Sequence, residues 1–251
     1  MCLEERIKIS AVSYSNSVPF IYGLRNHPIF DHIDLTLDNP ADCASKLLTG
    51  QVDLGLVPVA VIPELNNARI VSNFCIGANG PVETVCLFSE VPLSEVRSIL
   101  LDYQSRTSVQ LVRYLASNAW KISPEWKQAD IHFIDQIQGD TAGVVIGDRA
   151  FGLEKKFPTV IDLSQEWKKH TALPFVFACW VSNRNLPESF LSMFNQALQF
   201  GLDNRKTAVK ELPTHSEHDL ERYVQEVISY DLDEKKLRAM KLFLDWMSKS
   251  G

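Results

Sequence analysis

The sequence predicts an α/β protein built from two lobes. Short apolar segments typical of strands alternate with helix-patterned segments from Ile7 to Val181, an order that favours a largely parallel sheet covered by helices. No Pro/Gly/Ser-rich linker, repeat or low-complexity segment separates the two halves of this series, so strands must join the lobes. The predicted crossings are residues 85–92 on the way out and residues 175–182 on the return.

These crossings assign residues 1–90 and 178–251 to lobe I and residues 91–177 to lobe II. We expect a substrate cleft between the lobes, because α/β proteins bind ligands at the C-terminal ends of their strands. Two strand crossings of this kind would leave such a cleft open to a small molecule.

The individual elements follow from local patterns. A polar turn at residues 13–19 leads into a short helix from Phe20 to Leu24, and Gly50 ends a helix predicted over residues 40–49. A third helix carries the apolar residues Val109, Leu111, Val112 and Leu115. Apolar runs predict strands at residues 7–12, 32–37, 52–57, 70–76, 82–88, 98–101, 131–134, 143–146 and 160–163.

The pattern changes after Val181, where three amphipathic helices are predicted. Apolar residues recur every three or four positions within residues 187–200, 218–229 and 237–247. We interpret these stripes as faces that pack on the core, rather than as membrane-binding or calmodulin-binding helices. The chain should therefore close with a helical segment.

Charge and composition restrict the partners. The 251 residues include 25 Lys and Arg against 31 Asp and Glu, a net charge of -6, which argues against nucleic acid or an anionic membrane as partner. The N-terminus lacks the pattern of an export signal and no apolar run reaches the ~20 residues that span a bilayer, so we expect a cytoplasmic protein. The cysteines show no CxxC or ligand spacing and indicate reduced thiols. The oligomeric state is left open.

The most informative segment is Leu101-Asp102-Tyr103-Gln104 followed by the SRTS helix start, which we define as Ser105, Arg106, Thr107 and Ser108. An apolar strand ends here and a helix-patterned segment begins. Hydroxyls at a helix start either cap its free N–H groups or leave those donors to an incoming anion. The helix dipole, the hydroxyls and one guanidinium together favour a carboxylate ligand. Because the chain is acidic overall, such an anion site must be local.

Three further segments present polar groups where we expect the cleft. They are the turn around Asn16, the GPVET turn (residues 80–84, ending in Thr84) and the IGDR turn (residues 146–149, containing Asp148). Asn16 and its serine neighbours are also suited to capping a helix. A threonine beside a strand is common in any fold. Asp148 could cap a helix or pair with a nearby arginine.

Several catalytic motifs are missing from the sequence. It contains no GxGxxG followed by an acidic residue, no GxxxxGK[ST], no GxSxG and no HExxH, and the six histidines show no ligand or triad spacing. We therefore expect no metal and no bound cofactor, and the sequence names no general base.

Six motifs, in this order and spacing, closely resemble the chorismate dehydratases of the futalosine route to menaquinone: VSYSNSVPFIYGL, DLGLVPVAV, GPVETVCLFS, LDYQSRTSVQLVRYL, IGDRAF and TALPFVFACWV. The resemblance covers residues 7–182. It implies the two-lobed fold of type II periplasmic binding proteins, used by a cytoplasmic enzyme. The implied reaction is that of a hydro-lyase, which removes water from chorismate to give 3-[(1-carboxyvinyl)oxy]benzoate.

The resemblance also implies roles for individual residues. Asn16 and Thr84 match the family's catalytic asparagine and serine, and the SRTS helix start matches its carboxylate-binding cluster. Asp148 is a further candidate for substrate binding, from its place in the IGDR turn. The sequence departs from the family with Thr84 for serine, Ser15 for leucine and Ala172 for glycine; none of these changes removes a needed functional group. Alternative functions are a solute-binding protein for a small carboxylate, the related 1,4-dihydroxy-6-naphthoate synthase, or a ligand-sensing domain.

Overall fold

The protein, seen in a computed structural model, divides into two compact units. The structure describes residues 6–212 and 218–250. The first unit comprises the chain up to Ile76 and Ala178–Asp233, and the second comprises Gly77–Phe177 and the chain from Glu234 onward. Each unit contains its own mixed sheet with helices packed on it. The α/β class predicted from the sequence is confirmed.

The elements of the described residues are as follows. The strands are β1 Ile7–Val12, β2 Ile33–Asp38, β3 Leu54–Pro58, β4 Arg69–Ala78, β5 Val85–Ser89, β6 Ser98–Leu101, β7 Glu125–Gln128, β8 Thr141–Ile146, β9 Thr159–Asp162, β10 Phe175–Ser182 and β11 Ser229–Asp231. The α-helices are α1 Val18–Arg25, α2 Pro40–Leu48, α3 Thr107–Leu115, α4 Leu163–Thr171, α5 Glu188–Asp203, α6 Arg205–Lys210, α7 Leu220–Arg222 and α8 Glu234–Ser250.

The sheet of the first unit has the strand order β11-β4-β10-β3-β1-β2. Strand β1 pairs in parallel with β2 and β3, whereas the returning strand β10 pairs antiparallel to β3. Helices α1 and α5 touch through Gly23 and Gly201, because a Cβ atom at either position would collide with the backbone of the other helix. This close approach holds the helix that follows the Asn16 turn.

The sheet of the second unit has the strand order β7-β6-β8-β5-β9. Strand β6 pairs in parallel with β7 and β8, and β5 pairs antiparallel to β8 and β9. Helix α8 joins this unit through aromatic contacts: the ring of Phe243 lies 5.2 Å from Phe175 and 6.0 Å from Trp167, and Trp246 lies 5.2 Å from Tyr114. The C-terminal helix therefore completes the core of the second unit.

The expected lobe boundaries differ from the observed units in two places. Residues 77–90 group with the second unit, because β5 pairs with β8 and β9. Residues 234–251, expected in lobe I, also group with the second unit, because α8 packs on its aromatic side chains. The outward crossing is thus made by β4, whereas the return at Phe175–Ser182 is the strand that the sequence predicted.

The structure departs from the sequence prediction at four places. The strand predicted at residues 131–134 is absent: Phe133–Gln136 form a short 3-10 helix and Ile131 is 69% exposed. The edge strand β7 was missed because its residues are mostly polar. The strand predicted from residue 82 begins at residue 85, after a turn. The helix predicted over residues 218–229 ends at Val227 and is followed by β11.

Four of the five cysteines are described, Cys43, Cys75, Cys86 and Cys179. All four are buried, and none forms a disulfide bond with another described residue; Cys2 lies outside the described residues. Within residues 6–212 and 218–250, no helix is both long enough and apolar enough to cross a membrane.

Candidate functional site

The GPVET turn, the SRTS helix start and the IGDR turn come together in the second unit. The backbone N–H of Gly147 donates to the carbonyl of Thr84 at 2.9 Å, which joins the IGDR turn to the GPVET turn. The N–H of Ile146 donates to Oδ2 of Asp102 at 3.1 Å, and the N–H of Ser105 donates to the Asp102 carbonyl at 3.1 Å, so Asp102 joins the IGDR turn to the SRTS helix start. Three of the four segments singled out in the sequence therefore form one connected group.

Asp102 is the centre of this group. Its side chain is fully buried, and Nη2 of Arg149 lies 2.9 Å and 2.7 Å from its two carboxylate oxygens. The N–H of Gln104 donates to Oδ1 of Asp102 at 3.0 Å, so the carboxylate also shapes the turn that follows β6. Sequence reasoning assigned no role to Asp102 or Arg149. Their only local signal is an acidic residue directly after a strand, which is too common to predict a partner.

Within the SRTS helix start, two hydroxyls are used by the fold. Oγ of Ser105 accepts the N–H of Ser108 at 3.0 Å, which is the capping role that the sequence left open. The Thr107 hydroxyl donates to the carbonyl of Phe177 at 3.0 Å, inside the same unit. Arg106 immediately precedes α3, is exposed, and forms no ion pair with the residues that the structure describes. A cationic side chain thus remains available at the positive end of a nine-residue helix.

The GPVET turn is held by Asp162, the last residue of β9. The N–H groups of Val82 and Glu83 donate to its Oδ2 at 2.8 Å and 2.7 Å, and the N–H of Gln165 donates to its Oδ1 at 3.0 Å. Burial raises the pKa of Asp162, and these backbone donors oppose that rise. One carboxylate therefore caps α4 and orders the turn before Thr84.

Thr84 lies at the end of this turn, directly before β5. Its side chain is buried, and its hydroxyl donates to the carbonyl of Val82 at 3.4 Å, a long hydrogen bond. The preceding residue, Glu83, has a φ of 66°, a left-handed conformation that is uncommon for residues other than glycine. The backbone that presents Thr84 is therefore an unusual one.

Asn16 belongs to the first unit, where a 3-10 turn at Ser15–Ser17 follows β1. The hydroxyl of Ser17 donates to Oδ1 of Asn16 at 3.0 Å, and the Tyr230 hydroxyl donates to the Asn16 backbone carbonyl at 2.9 Å. Among the described residues, nothing accepts a hydrogen bond from the side-chain Nδ2 of Asn16. The turn is fixed by its backbone, and the amide nitrogen remains a potential donor to a ligand.

Asp148 is exposed at the start of the 3-10 turn Gly147–Ala150. The residue that precedes this turn is Ile146, and no side chain caps it, so Asp148 does not act as a helix cap here. Its neighbour Arg149 pairs with Asp102. In the part of the chain that the structure describes, no three His, Cys, Asp or Glu side chains are grouped so that they could hold a metal ion.

These two mixed sheets, joined by strands, define an α/β protein with the fold of the periplasmic binding proteins. A protein from Archaeoglobus fulgidus has a TM-score of 0.76 at 14% sequence identity and covers 98% of this chain and 97% of its own. A Candida albicans protein described as having the generic periplasmic binding protein fold has a TM-score of 0.68 at 10% identity, over 97% and 90% of the two chains. These likenesses concern the fold alone and confirm the fold that the resemblance implied.

The chain belongs to the menaquinone biosynthesis family, whose model matches residues 7–249. It is also similar to the chorismate dehydratase of Thermus thermophilus, with 27% identity over 229 residues, which cover 82% of this chain and 83% of that relative. The family relationship predicted from the six sequence motifs is thereby confirmed.

Proposed function

We propose that the protein is a chorismate dehydratase, which removes water from chorismate to give 3-[(1-carboxyvinyl)oxy]benzoate. The relative from Thermus thermophilus supports the substrate and the reaction, and the family supports a place in menaquinone biosynthesis. The structural observation that carries the proposal is the link between the GPVET turn and the SRTS helix start through Asp102 and the IGDR turn. This link joins the turn that carries the Thr84 hydroxyl to the helix start that carries the exposed Arg106.

The reaction breaks one C–H bond and one C–O bond of the ring, and the proton and hydroxide leave together as water. The ring becomes aromatic, so the enzyme mainly has to orient a dianion and stabilise the charge that develops on the ring carboxylate. Within the SRTS helix start, we assign the carboxylate contacts to the Arg106 guanidinium and the Ser108 hydroxyl. Ser105 and Thr107 keep this helix start in place through their own hydrogen bonds.

We assign the roles of uncharged hydrogen-bond donors in the reaction to Asn16 and Thr84. The Nδ2 of Asn16 would donate to the developing negative charge or to the leaving hydroxyl, and the Thr84 hydroxyl would donate to the substrate or accept from it. Asp148, an exposed carboxylate, would accept a hydrogen bond from the substrate hydroxyl. We assign no protein base: the enolpyruvyl carboxylate of the substrate would itself take the proton. A pH–rate profile with a side-chain pKa near neutrality, abolished by one His or Glu substitution, would contradict this assignment.

Incubation of the purified protein with chorismate tests the proposal. We expect an aromatic product whose mass is that of chorismate minus one water, visible by absorbance and mass spectrometry and absent without protein. Chorismate that is bound but unchanged would instead indicate a solute-binding protein for a small carboxylate, the function that the fold class favours next. No binding and no product would leave the 1,4-dihydroxy-6-naphthoate synthase alternative.

A further inference from the structure

We propose that Asp162 is a positioning residue, which holds the Glu83 backbone at positive φ and thereby fixes Thr84 for catalysis. The inference rests on the proposed function, since it concerns how the fold presents a hydroxyl of that site. Asp162 itself is not assigned any contact with the substrate.

The conformation of Glu83 is the first observation. Its φ of 66° brings Cβ close to the neighbouring backbone, so a residue other than glycine keeps it only when the surrounding structure compensates. Such residues cluster where function requires an unusual backbone. Glu83 directly precedes the residue proposed to act on the substrate.

The contacts of Asp162 are the second observation. Capping α4 requires a single oxygen, and Oδ1 meets this need by accepting the N–H of Gln165 at 3.0 Å. The second oxygen, Oδ2, accepts the two N–H groups of Val82 and Glu83 at 2.8 Å and 2.7 Å. One carboxylate oxygen of Asp162 therefore binds the turn, and the other binds the helix.

The position of Thr84 depends on both sides of this turn. Before Thr84, the N–H groups of Val82 and Glu83 donate to Asp162. After it, the Thr84 carbonyl accepts the N–H of Gly147 at 2.9 Å. Strand pairing places Cys86 opposite Asp162, so β5 and β9 keep the carboxylate in register with the turn. Loss of the Asp162 carboxylate would release only the N-terminal side.

A double-mutant cycle separates positioning from helix capping. Because glycine adopts positive φ without strain, Glu83→Gly should reduce the turn's dependence on Asp162. We expect Asp162→Ala to lower kcat for chorismate by about tenfold or more in the parent, and by less than about threefold in the Glu83→Gly background, with KM within about twofold. Amide exchange at Val82 and Glu83 should accelerate in the Asp162→Ala variant.

Two controls keep the result interpretable. Asn39→Ala removes a comparable cap from α2, where Oδ1 accepts the N–H of Asp42 at 3.0 Å, and should lower the melting temperature without changing kcat. If Asp162→Ala fails to fold, Asp162→Ser replaces it, because serine retains a helix cap but lacks a second oxygen for the turn. An active parent whose Asp162 variants keep the parental kcat, or lose equal activity in both backgrounds, would overturn this inference alone. A parent that leaves chorismate unchanged would overturn the proposed function.

Discussion

Nη2 of Arg149 lies 2.9 Å from Oδ1 and 2.7 Å from Oδ2 of Asp102, a residue 47 positions earlier in the chain. Asp102 directly follows β6, whereas Arg149 ends the IGDR turn after β8. The Asp102 side chain is fully buried and that of Arg149 is 26% exposed. Since a buried carboxylate requires a cation or several donors, this pair is what allows the two turns to approach each other.

We expect Arg149→Met to lower the free energy of unfolding by about 3–5 kcal/mol and to raise KM for chorismate. The substitution leaves the Asp102 charge buried without its cation, and the SRTS helix start loses a support. Urea denaturation measures the first effect and steady-state kinetics the second. Arg184→Met is the matched control: Arg184 pairs with Asp53 at 3.0 Å but is 44% exposed, so its loss should cost less than about 1 kcal/mol. Equal losses in the two variants would refute the prediction.

Arg106→Ala should weaken substrate binding while leaving the fold intact. Arg106 is exposed and pairs with no acidic group among the described residues, so the free energy of unfolding should change by less than about 0.5 kcal/mol. A charged hydrogen bond to a carboxylate contributes about 1.5–3 kcal/mol, so KM should rise by roughly 10-fold to 100-fold. Arg97→Ala, another exposed arginine of the second unit, should leave KM unchanged. An Arg106→Ala variant with the parental KM would show that the guanidinium does not contact the substrate.

Asn16→Ala should reduce kcat by about 10²–10³, the cost of removing one preorganised donor at a transition state. The melting temperature should change little, because the Tyr230 hydroxyl binds the backbone carbonyl of Asn16, which the substitution retains. Asn26→Ala, which removes a carboxamide from the end of α1, should leave kcat unchanged. A parental kcat in the Asn16→Ala variant would exclude this amide from catalysis.

Asp38 makes the stability of the first unit dependent on pH. It accepts hydrogen bonds from three side chains, those of Lys46, Ser10 and Thr36. Burial acts to raise the pKa of Asp38, but these partners outweigh it and the net shift is downward. A carboxyl whose pKa is lowered by folding stabilises the fold at pH values above its unfolded-state pKa of about 3.9. That contribution is lost as the pH falls through the lowered pKa of the folded state.

We therefore expect Asp38→Asn to be less stable than the parent at neutral pH. The difference in the free energy of unfolding should shrink as the pH is lowered below about 4. Chemical denaturation of both proteins across this range measures it. A difference that is constant with pH would mean that the ionised form of Asp38 contributes nothing to stability.

Local patterns in the sequence predicted most of the fold. Strands β1 and β6 lie at the predicted residues, and the turns that carry Asn16 and the SRTS helix start follow them as expected. Strand β7 was missed because an edge strand can be polar: its residues pair in parallel with β6 and need no apolar alternation. The docking of α8 was missed because an apolar stripe predicts burial but not the surface that it packs on.

The contacts that support the candidate site could not be predicted in the same way. Asp102 and Arg149, like Asp162 and Glu83, are far apart in the chain. The pairing of β6 with β8 brings the first pair together, and the pairing of β5 with β9 brings the second pair together. The left-handed conformation of Glu83 could not be predicted either, because the sequence has no glycine at that position. The residue types predicted which side chains are suited to the chemistry. The residues that hold those side chains in place are distant in the chain and come close only through strand pairing.

The most direct test of the proposed function is kcat for chorismate in Thr84→Val compared with Thr84→Ser. Valine keeps the shape of this buried side chain and removes the hydroxyl, whereas serine keeps the hydroxyl and removes the methyl group. We predict that Thr84→Ser retains the parental kcat and that Thr84→Val loses about 10²–10³, with both variants folded as the parent is. A Thr84→Val variant that dehydrates chorismate as fast as the parent would contradict the catalytic role of this hydroxyl.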